Sequence, residues 1–204
     1  MSDSANASSI RIAGVDEVGR GPLAGPVVAS ACVFYKGYSH PEIKDSKKLS
    51  KKTRERLVDE IKRDALSWAI VAVGPRRIEN LNIREASRLA MKLALDRVEA
   101  DIALIDGNVA IDTSLPQTTV IGGDDIHVEI AAASILAKVW RDNLMEVLDE
   151  KYPGFAFSSN SGYPTKSHKE ALRTIGPSKI HRRTFSGVRE LVSNQEELYR
   201  FAAH

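Results

Sequence analysis

The sequence has very little cysteine and no long apolar stretch, and each shortage excludes a class of protein. Cys32 is the only cysteine among 204 residues, so an internal disulfide and a cysteine-based zinc module are both excluded. Such usage is typical of the reducing cytosol, and we expect a cytoplasmic protein. No run of 18 apolar residues occurs, so no membrane-spanning helix is predicted. Residues 1–9 carry neither a basic nor an apolar stretch, which predicts a disordered tail and no secretory signal.

The net charge is only +2, but the charges are separated along the chain. Residues 44–56 contain seven basic residues against two acidic ones, and residues 160–189 contain seven against Glu170 alone. The rest of the chain is therefore acidic. Two basic blocks beside an acidic remainder favour a polyanion held near a carboxylate cluster. Solvated loops and helix faces are the alternative interpretation.

A length of 204 residues suits one domain, which we assign to residues 10–204. Strands come early and alternate with helices later, which indicates an α/β fold with a mixed central sheet flanked by helices. A small helical C-terminal part is expected to cover the site. Strands are predicted at residues 10–15, 26–34, 66–73, 102–105 and 118–121, and helices at 53–62, 84–99, 126–148, 167–174 and 188–201.

Acidic residues follow three of the predicted strands, each time beside glycine. Asp16 and Glu17 end the first strand, Asp106 ends the fourth, and Asp124 and Asp125 follow the fifth. Clefts outside strand ends are where open α/β sheets bind ligands. Oxygen ligands without histidine or cysteine favour Mg²⁺ or Mn²⁺. The repeated arrangement therefore predicts a shared divalent-metal site.

Taken singly, each acid also has a structural interpretation. The pair before the long helix could cap it, the pair ending the first strand could bind Arg20, and Asp106 could be an ordinary turn residue. Only the recurrence of the same arrangement at three places favours the shared site.

Asp142 is a separate case, because it lies on the apolar stripe of the long helix. It follows Val139 by 3 residues and Ile135 by 7, and an unpaired charge there is costly. We interpret it as the partner of a basic group such as Arg141 or Lys138, or as a support for the site, ahead of a role as metal ligand.

The turn Gly19-Arg20-Gly21 is not a dinucleotide-binding loop. Its spacing to Gly25 is wrong, and the prolines that follow disfavour the usual transition from loop to helix. Glycines that flank an arginine instead let backbone amides approach a ligand closely while Arg20 binds phosphate.

Six motifs occur in an order that resembles bacterial ribonuclease HII. They are GVDEVGRGPLAGPVVASACV, KDSKKLS, LIDGN, AAASILAKVWRD, SGYPTKSH and HRRTF. The match spans residues 12–188. It implies a ribonuclease H-like fold and an endonuclease that cleaves the RNA strand of RNA–DNA hybrids, leaving 5′-phosphates, and cuts 5′ to single ribonucleotides in duplex DNA. Ribonuclease HIII is similar but carries an extra N-terminal domain, for which nine leading residues leave no room.

The resemblance also implies a catalytic metal site. Its ligands would be Asp16, Glu17, Asp106 and Asp124, holding two Mn²⁺ or Mg²⁺ ions. Asp124 is preferred to Asp125 because it lies ten residues before Ser134, as the family pattern requires. Two such ions can activate a water and bind the leaving 3′-oxygen.

Substrate contacts are implied in the same way. The loop residues Gly19, Arg20 and Gly21 match the loop that reads the ribonucleotide 2′-hydroxyl through its backbone, and Tyr163 matches a tyrosine that stacks on the next sugar. Without the resemblance, Tyr163 would be interpreted as a turn residue packed on the core. The implied phosphate contacts are Lys47, Ser134, Lys138 and the basic residues 166–183, among them Lys166, His168 and Arg182.

One departure from the family pattern concerns substrate binding. Asn160 and Ser161 stand where the family often has His-Lys, so a basic residue is missing beside the site.

For His168 and His181, phosphate contact or structural hydrogen bonding is favoured over a role as general base.

Two other functions are consistent with the residues alone. A nucleic-acid-binding protein with structural acids would show no chelator-sensitive cleavage, and another metal nuclease of this fold would cut DNA that lacks ribonucleotides. The expected partners are RNA–DNA hybrids and ribonucleotide-containing duplex DNA, with no membrane, and the expected state is a monomer. Gln195, Leu198 and Phe201 have the spacing of a sliding-clamp-binding peptide, but an amphipathic terminal helix is the preferred interpretation.

Overall fold

One mixed sheet of five strands organises the chain, in the order β3-β2-β1-β4-β5. The structure is a computed structural model that describes residues 10–44 and 46–193. The strands are β1 (Arg11–Val18), β2 (Val27–Tyr35), β3 (Ser67–Val73), β4 (Ile102–Asp106) and β5 (Gln117–Val120). β1, β2 and β3 pair antiparallel, whereas β4 and β5 run parallel to β1. Because Val15 pairs with Ile105, the C-terminal ends of β1 and β4 meet at one edge of the sheet.

Helices cover both faces of the sheet. They are α1 (Lys51–Asp64), α2 (Pro75–Leu81), α3 (Ile83–Leu95), α4 (Val128–Lys151), α5 (Phe157–Asn160) and α6 (Lys166–Ile175). α3 buries Ala86, Ala90 and Ala94 against one face. α1 and α4 bury Leu57 and Ile135 against the other. The near-continuous apolar run of β2 is explained by this arrangement, because a strand covered on both faces needs no polar side.

The helix α4 lies unusually close to β1. A Cβ atom added at Gly14 would lie 2.0 Å from the carbonyl carbon of Glu129 and 2.3 Å from the amide nitrogen of Ile130. Only a residue without a side chain allows this approach. The contact brings the first turns of α4, including Ser134, beside the C-terminal half of β1.

A third apolar cluster joins the C-terminal region to the loop after β1. Leu23 and Ala24 of that loop pack with Met145, Phe155 and Phe157, and Leu172 and Val188 complete the cluster. The expected helical C-terminal part is therefore present, and it rests on the loop that contains Gly19–Gly21.

The element boundaries differ from the sequence-based expectation in a few places. α2 was not expected, because the Gly74-Pro75 pair was interpreted only as the end of a strand. Proline at the first helical position is compatible with a helix, since its missing N–H has no partner there. A 3₁₀ turn, Gly123–Asp125, precedes α4. The predicted tail 1–9 and most of the predicted helix 188–201 lie outside the described residues.

None of the helices in the described ranges is both long and apolar enough to cross a membrane.

Replacing Gly14 by alanine is expected to destabilise the fold. The added methyl group would overlap the backbone of α4, and overpacking of this kind costs roughly 1–3 kcal/mol or more. Thermal unfolding should show a Tm several degrees lower. Gly74→Ala is the matched control, because no atom lies within 4 Å of its added Cβ. Equal Tm values for both variants would contradict the close approach.

Candidate active site

Three acidic side chains lie at the edge where β1 and β4 end. Asp16 is buried, and Glu17 and Asp106 are partly buried. Asp16 accepts a hydrogen bond of 2.7 Å from the amide of Glu17, and Ser134 of α4 also hydrogen-bonds its carboxylate. Asp106 accepts one of 2.8 Å from the amide of Gly123. The parallel register and the packing of α4 thus bring the acids of two strands together.

The pKa values of Asp16 and Glu17 reflect their burial and the charges around them. Burial raises the pKa of Asp16 well above its ordinary value; the charge on Glu17 and, more weakly, that on Asp106 raise it further. Burial likewise raises the pKa of Glu17, although Arg20 opposes the shift. Carboxylates that disfavour one another's ionisation are stabilised by a bound cation.

Asp124 and Asp125 occupy the 3₁₀ turn before α4, and they face differently. The Asp124 side chain is 11% exposed, and its Oδ2 lies 3.7 Å from Nζ of Lys47. The Asp125 side chain is 51% exposed and forms an ion pair with Lys48. Asp124 is therefore the more enclosed of the two.

The donor set fits a hard divalent cation in its chemistry, since every candidate ligand is a carboxylate oxygen. The side chains are nevertheless not gathered into a ready-made cage: within residues 10–44 and 46–193, no three acidic, histidine or cysteine side chains converge in that way. Three of these carboxylates are instead engaged by other groups of the protein. Glu17 pairs with Arg20 at 3.3 Å, Asp106 with the Gly123 amide, and Asp124 with Lys47.

The candidate phosphate contacts near α4 are already engaged within the protein. The Ser134 hydroxyl lies 3.0 Å from that of Ser46. Lys138 donates a hydrogen bond of 2.9 Å to Asp142, four residues along the helix. The expected pairing of Asp142 with Lys138 is therefore present. Lys47 and Lys166 are exposed.

The loop from Gly19 to Gly21 lies next to Tyr163. Gly19 has φ of +91°, a conformation that favours glycine. A Cβ added at Gly21 would lie 3.4 Å from Cε1 of the Tyr163 ring, which is itself 41% exposed. Leu23 donates a backbone hydrogen bond of 2.8 Å to Gly162, which holds the two segments together. The proposed reader of the 2′-hydroxyl and the proposed stacking ring are thus adjacent.

Two of the predicted phosphate contacts do not face the surface. Arg182 and His168 are both 0% exposed. Arg182 donates to backbone carbonyls of the glycine loop, and Nδ1 of His168 lies 2.8 Å from the carbonyl oxygen of Tyr163. A buried donor cannot reach a phosphate at the surface. Arg182 instead supports the glycine loop from beneath, and His168 supports the Tyr163 segment.

A chain of hydrogen bonds fixes the proton positions of the two buried histidines. The Ser178 amide donates to Nδ1 of His181 at 2.9 Å, so this nitrogen carries no proton. Nε2 of His181 therefore donates to Nε2 of His168, 3.0 Å away. Nδ1 of His168 then carries the proton donated to Tyr163. Both imidazoles are neutral, and burial lowers the pKa of His181 to about 4.

Sequence reasoning missed several residues that surround the site. A cleft of about 390 Å³ is lined by Glu17, Asp106, Arg20, Asn108, Arg84 and Arg88. Arg84 and Arg88 project from α3, where helical spacing alone gave no sign of the cleft. Arg141, which was expected as a partner of Asp142, is instead fully buried within α4 and donates to backbone carbonyls of other segments.

A mixed sheet in this strand order, with acids ending its central parallel pair and preceding the long helix, defines a nuclease of the ribonuclease H-like fold. The family model described as Ribonuclease HII matches residues 13–188. Ribonuclease HII of Syntrophotalea carbinolica is 47% identical over 182 residues, covering 88% of this chain and 87% of that protein. The enzyme of Syntrophus aciditrophicus is 49% identical over 176 residues, covering 85% and 83%.

Solved structures agree with this assignment. Ribonuclease H2 from Pyrococcus horikoshii OT3 has a TM-score of 0.78 at 27% identity, over 94% of this chain and 99% of that one. An RNase HII from Archaeoglobus fulgidus, solved as a complex with PCNA, has a TM-score of 0.71 at 28% identity, over 87% and 96%. Bst-RNase HIII in complex with Mn²⁺ shares the fold, with a TM-score of 0.68 at 17% identity over 95% and 72%.

The chain belongs to the ribonuclease HII family. It is accordingly a ribonuclease H, an endonuclease that hydrolyses phosphodiester bonds.

The variants Asp16→Asn and Asp106→Asn are expected to lose cleavage at least about 100-fold, since even the outer partners of metal ligands contribute 10- to 100-fold. The Tm of the metal-free protein should be unchanged or higher, because each change removes repulsion between like charges. Asp124→Asn should be similarly inactive, and Asp125→Asn should retain activity. Unfolding of the inactive variants would support purely structural acids, and an inactive Asp125→Asn would move the fourth ligand to that residue.

The buried histidine pair predicts a loss of stability in acid. The unfolded chain protonates His181 near its ordinary pKa of 6.5, whereas the folded protein resists until about 4. The unfolded state therefore binds more protons at His181 in this window, and the contribution of His181 to the free energy of unfolding should fall as the pH falls from 6.5 to 4, by at most roughly 3 kcal/mol. Denaturant unfolding across this range checks it. His181→Gln, which keeps a donor toward His168, should show a shallower dependence, and identical slopes would contradict the assignment.

Proposed function

We propose that this protein cleaves the RNA strand of RNA–DNA hybrids and cuts 5′ to single ribonucleotides in duplex DNA. The acidic edge, formed by Asp16, Glu17 and Asp106 at the ends of β1 and β4, would be the hydrolytic site. The loop Gly19–Gly21 would read the 2′-hydroxyl. The observation that carries the proposal is the adjacency of the two parts. Glu17 of the acidic edge pairs with Arg20 of the loop at 3.3 Å, and Gly21 of the same loop lies against the Tyr163 ring.

The metal ligands in this proposal are Asp16, Glu17, Asp106 and Asp124, with two Mn²⁺ or Mg²⁺ ions. The oxygen-only donor set and the raised pKa values of Asp16 and Glu17 support it. The Mn²⁺ in the related Bst-RNase HIII makes this ion the first to test. When bound, the ions supply the activation of water and the stabilisation of the leaving 3′-oxygen.

The protein's own groups would orient these ligands and exchange partners when substrate binds. Ser134 orients the carboxylate of Asp16, and the Gly123 amide orients that of Asp106. Arg20 and Lys47 each contact one acid of the site. Transfer of these two cations to substrate phosphates would release Glu17 and Asp124 for metal binding. Substrate and metal are therefore expected to bind cooperatively.

No protein nucleophile or histidine base enters this scheme. His168 and His181 are held as neutral imidazoles in the buried hydrogen-bond chain. Lys47 and Lys166, both exposed, are assigned to phosphates of the duplex.

A sliding clamp is a further partner to test in view of the PCNA-bound archaeal relative. The residues of the candidate clamp-binding peptide, Gln195, Leu198 and Phe201, lie outside the described residues.

A single gel experiment distinguishes the candidate functions. A labelled duplex with one ribonucleotide and a matched all-DNA duplex are each incubated with Mn²⁺, with Mg²⁺ and with a chelator. We expect cutting 5′ to the ribonucleotide with metal only. Cutting of the all-DNA duplex would favour another nuclease of this fold. Absent or chelator-insensitive cutting would favour a binding protein with structural acids.

Tyr163→Ala is expected to reduce cleavage at a single embedded ribonucleotide far more than cleavage of a long hybrid. A ring that lies flat on the following sugar leaves no room for a second hydroxyl, and stacking is worth about 1–3 kcal/mol. The ratio of kcat/KM for the two substrates is the measurement. Tyr163→Phe is the control and should keep much of the preference if stacking dominates. Equal losses on both substrates would refute this role.

A further inference from the structure

Two arginine side chains lie fully buried beneath the loop that joins β1 to β2. Arg182 and Arg141 are both 0% exposed, and within residues 10–44 and 46–193 neither forms an ion pair with a carboxylate. Burying a charge without a counter-charge is unfavourable. Burial, together with repulsion from Arg141, lowers the pKa of Arg182 to about 9. Packing of an apolar core therefore does not explain why two arginine side chains are buried here.

Within the described residues, all the side-chain hydrogen bonds of Arg182 go to backbone carbonyls of the loop between β1 and β2. Its Nη2 donates to Gly19 at 2.6 Å, its Nη1 to Arg20 at 2.8 Å, and its Nε to Gly25 at 3.0 Å. The planar guanidinium holds these donors in a fixed fork. The carbonyls of Gly19 and Arg20 are therefore both turned inward, toward the core.

The orientation of these carbonyls determines that of two amides. In a trans peptide the N–H points opposite to the C=O, and the described residues contain no cis peptide bond. The N–H groups of Arg20 and Gly21 must therefore point away from Arg182. Both residues are exposed, and within the described part of the chain neither amide has a hydrogen-bond acceptor. The result is two neighbouring donors on the outer side of the loop.

Arg141 connects the same loop to the segment that carries Tyr163. It donates to the carbonyls of Pro26 at 3.0 Å and Ala24 at 3.3 Å, and to that of Ser161 at 3.0 Å. Gly19 could not carry a side chain here, because an added Cβ would lie 2.3 Å from Nε of Arg141. The two arginines thus hold the loop and the tyrosine segment in one arrangement.

We propose that Arg182 and Arg141 are positioning residues for ribose recognition. Arg182 aims the amides of Arg20 and Gly21 at an acceptor oxygen of the substrate, and Arg141 sets their distance from the Tyr163 ring. The oxygen is the 2′-hydroxyl of the ribonucleotide, so this inference rests on the proposed function. Preference for ribose over deoxyribose is then set by buried side chains that never touch the nucleic acid.

The decisive variant is Arg182→Lys. Lysine keeps the positive charge but lacks the planar fork, so it cannot hold the carbonyls of Gly19 and Arg20 together. Arg97→Lys is the matched control, because Arg97 also donates to a backbone carbonyl, that of Leu93, but at the surface after α3. Ile61→Ala is a second control. It removes buried apolar contacts of α1 and lowers stability, and its cluster contains no described residue of the loop or of the C-terminal region.

Binding is measured with a chelator present, so that no cleavage occurs. The two ligands are a duplex with one ribonucleotide and the matched all-DNA duplex. For the wild type we expect tighter binding of the ribonucleotide duplex by about 10-fold, the worth of one or two hydrogen bonds. In Arg182→Lys this ratio should fall close to 1, while the salt dependence of binding stays as in the wild type because the charge is retained. Both controls should keep the wild-type ratio.

The outcomes separate this inference from the function on which it rests. A wild type that binds both duplexes equally refutes the reading of the 2′-hydroxyl by the loop, the part of the proposed function on which this inference rests, whereas the gel experiment tests the cleavage itself. A wild type that discriminates, together with an Arg182→Lys variant that discriminates equally well, overturns this inference alone. A reduced ratio in Ile61→Ala would also overturn it, because loss of discrimination would then follow stability. If Arg182→Lys does not fold, Arg141→Lys is measured against the same criteria.

Discussion

The parallel pairing of β1 with β4 is the constraint on which the rest of the site depends. It aligns Val15 with Ile105, so that the acids at the C-terminal end of each strand lie at the same edge of the sheet. The contact of Gly14 with the backbone of α4 then adds Ser134 and the turn that carries Asp124. Acidic residues far apart in the sequence therefore lie at one edge of the sheet, because β1 pairs with β4 and Gly14 lets α4 approach β1 closely.

A second constraint acts from below the site. The glycine loop has few internal hydrogen bonds of its own, and its shape comes from Arg182, Arg141 and the backbone bond between Leu23 and Gly162. The histidine chain supports the neighbouring Tyr163 segment in the same manner. Buried side chains of the C-terminal region thus shape the glycine loop and the Tyr163 segment.

Much of the fold could be predicted from local signals. The alternation of strands and helices indicated an α/β domain, and the apolar run of β2 indicated a strand covered on both faces. α2 was missed because Gly-Pro at a strand end is equally compatible with a loop and with a helix start. Among the site residues, the acids were visible as charges that follow apolar strands beside glycine. The inward orientation of the Arg182 and His168 side chains was not predicted, because a basic residue within a basic stretch is ordinarily interpreted as solvent-exposed.

The sequence by itself determined the residue types of the site: acids at strand ends, glycines around Arg20, and motifs that resemble ribonuclease HII. Local periodicity and composition carry this information because they depend on neighbours in the chain. Only the tertiary structure decided which basic groups face the surface and which face the core. That choice depends on carbonyls contributed by other segments, such as those of Gly19 and Arg20 that Arg182 meets more than 160 residues along the chain. A guanidinium can be buried where the fold surrounds it with hydrogen-bond acceptors, and here those acceptors belong to residues distant in the sequence. A local sequence pattern therefore does not predict them.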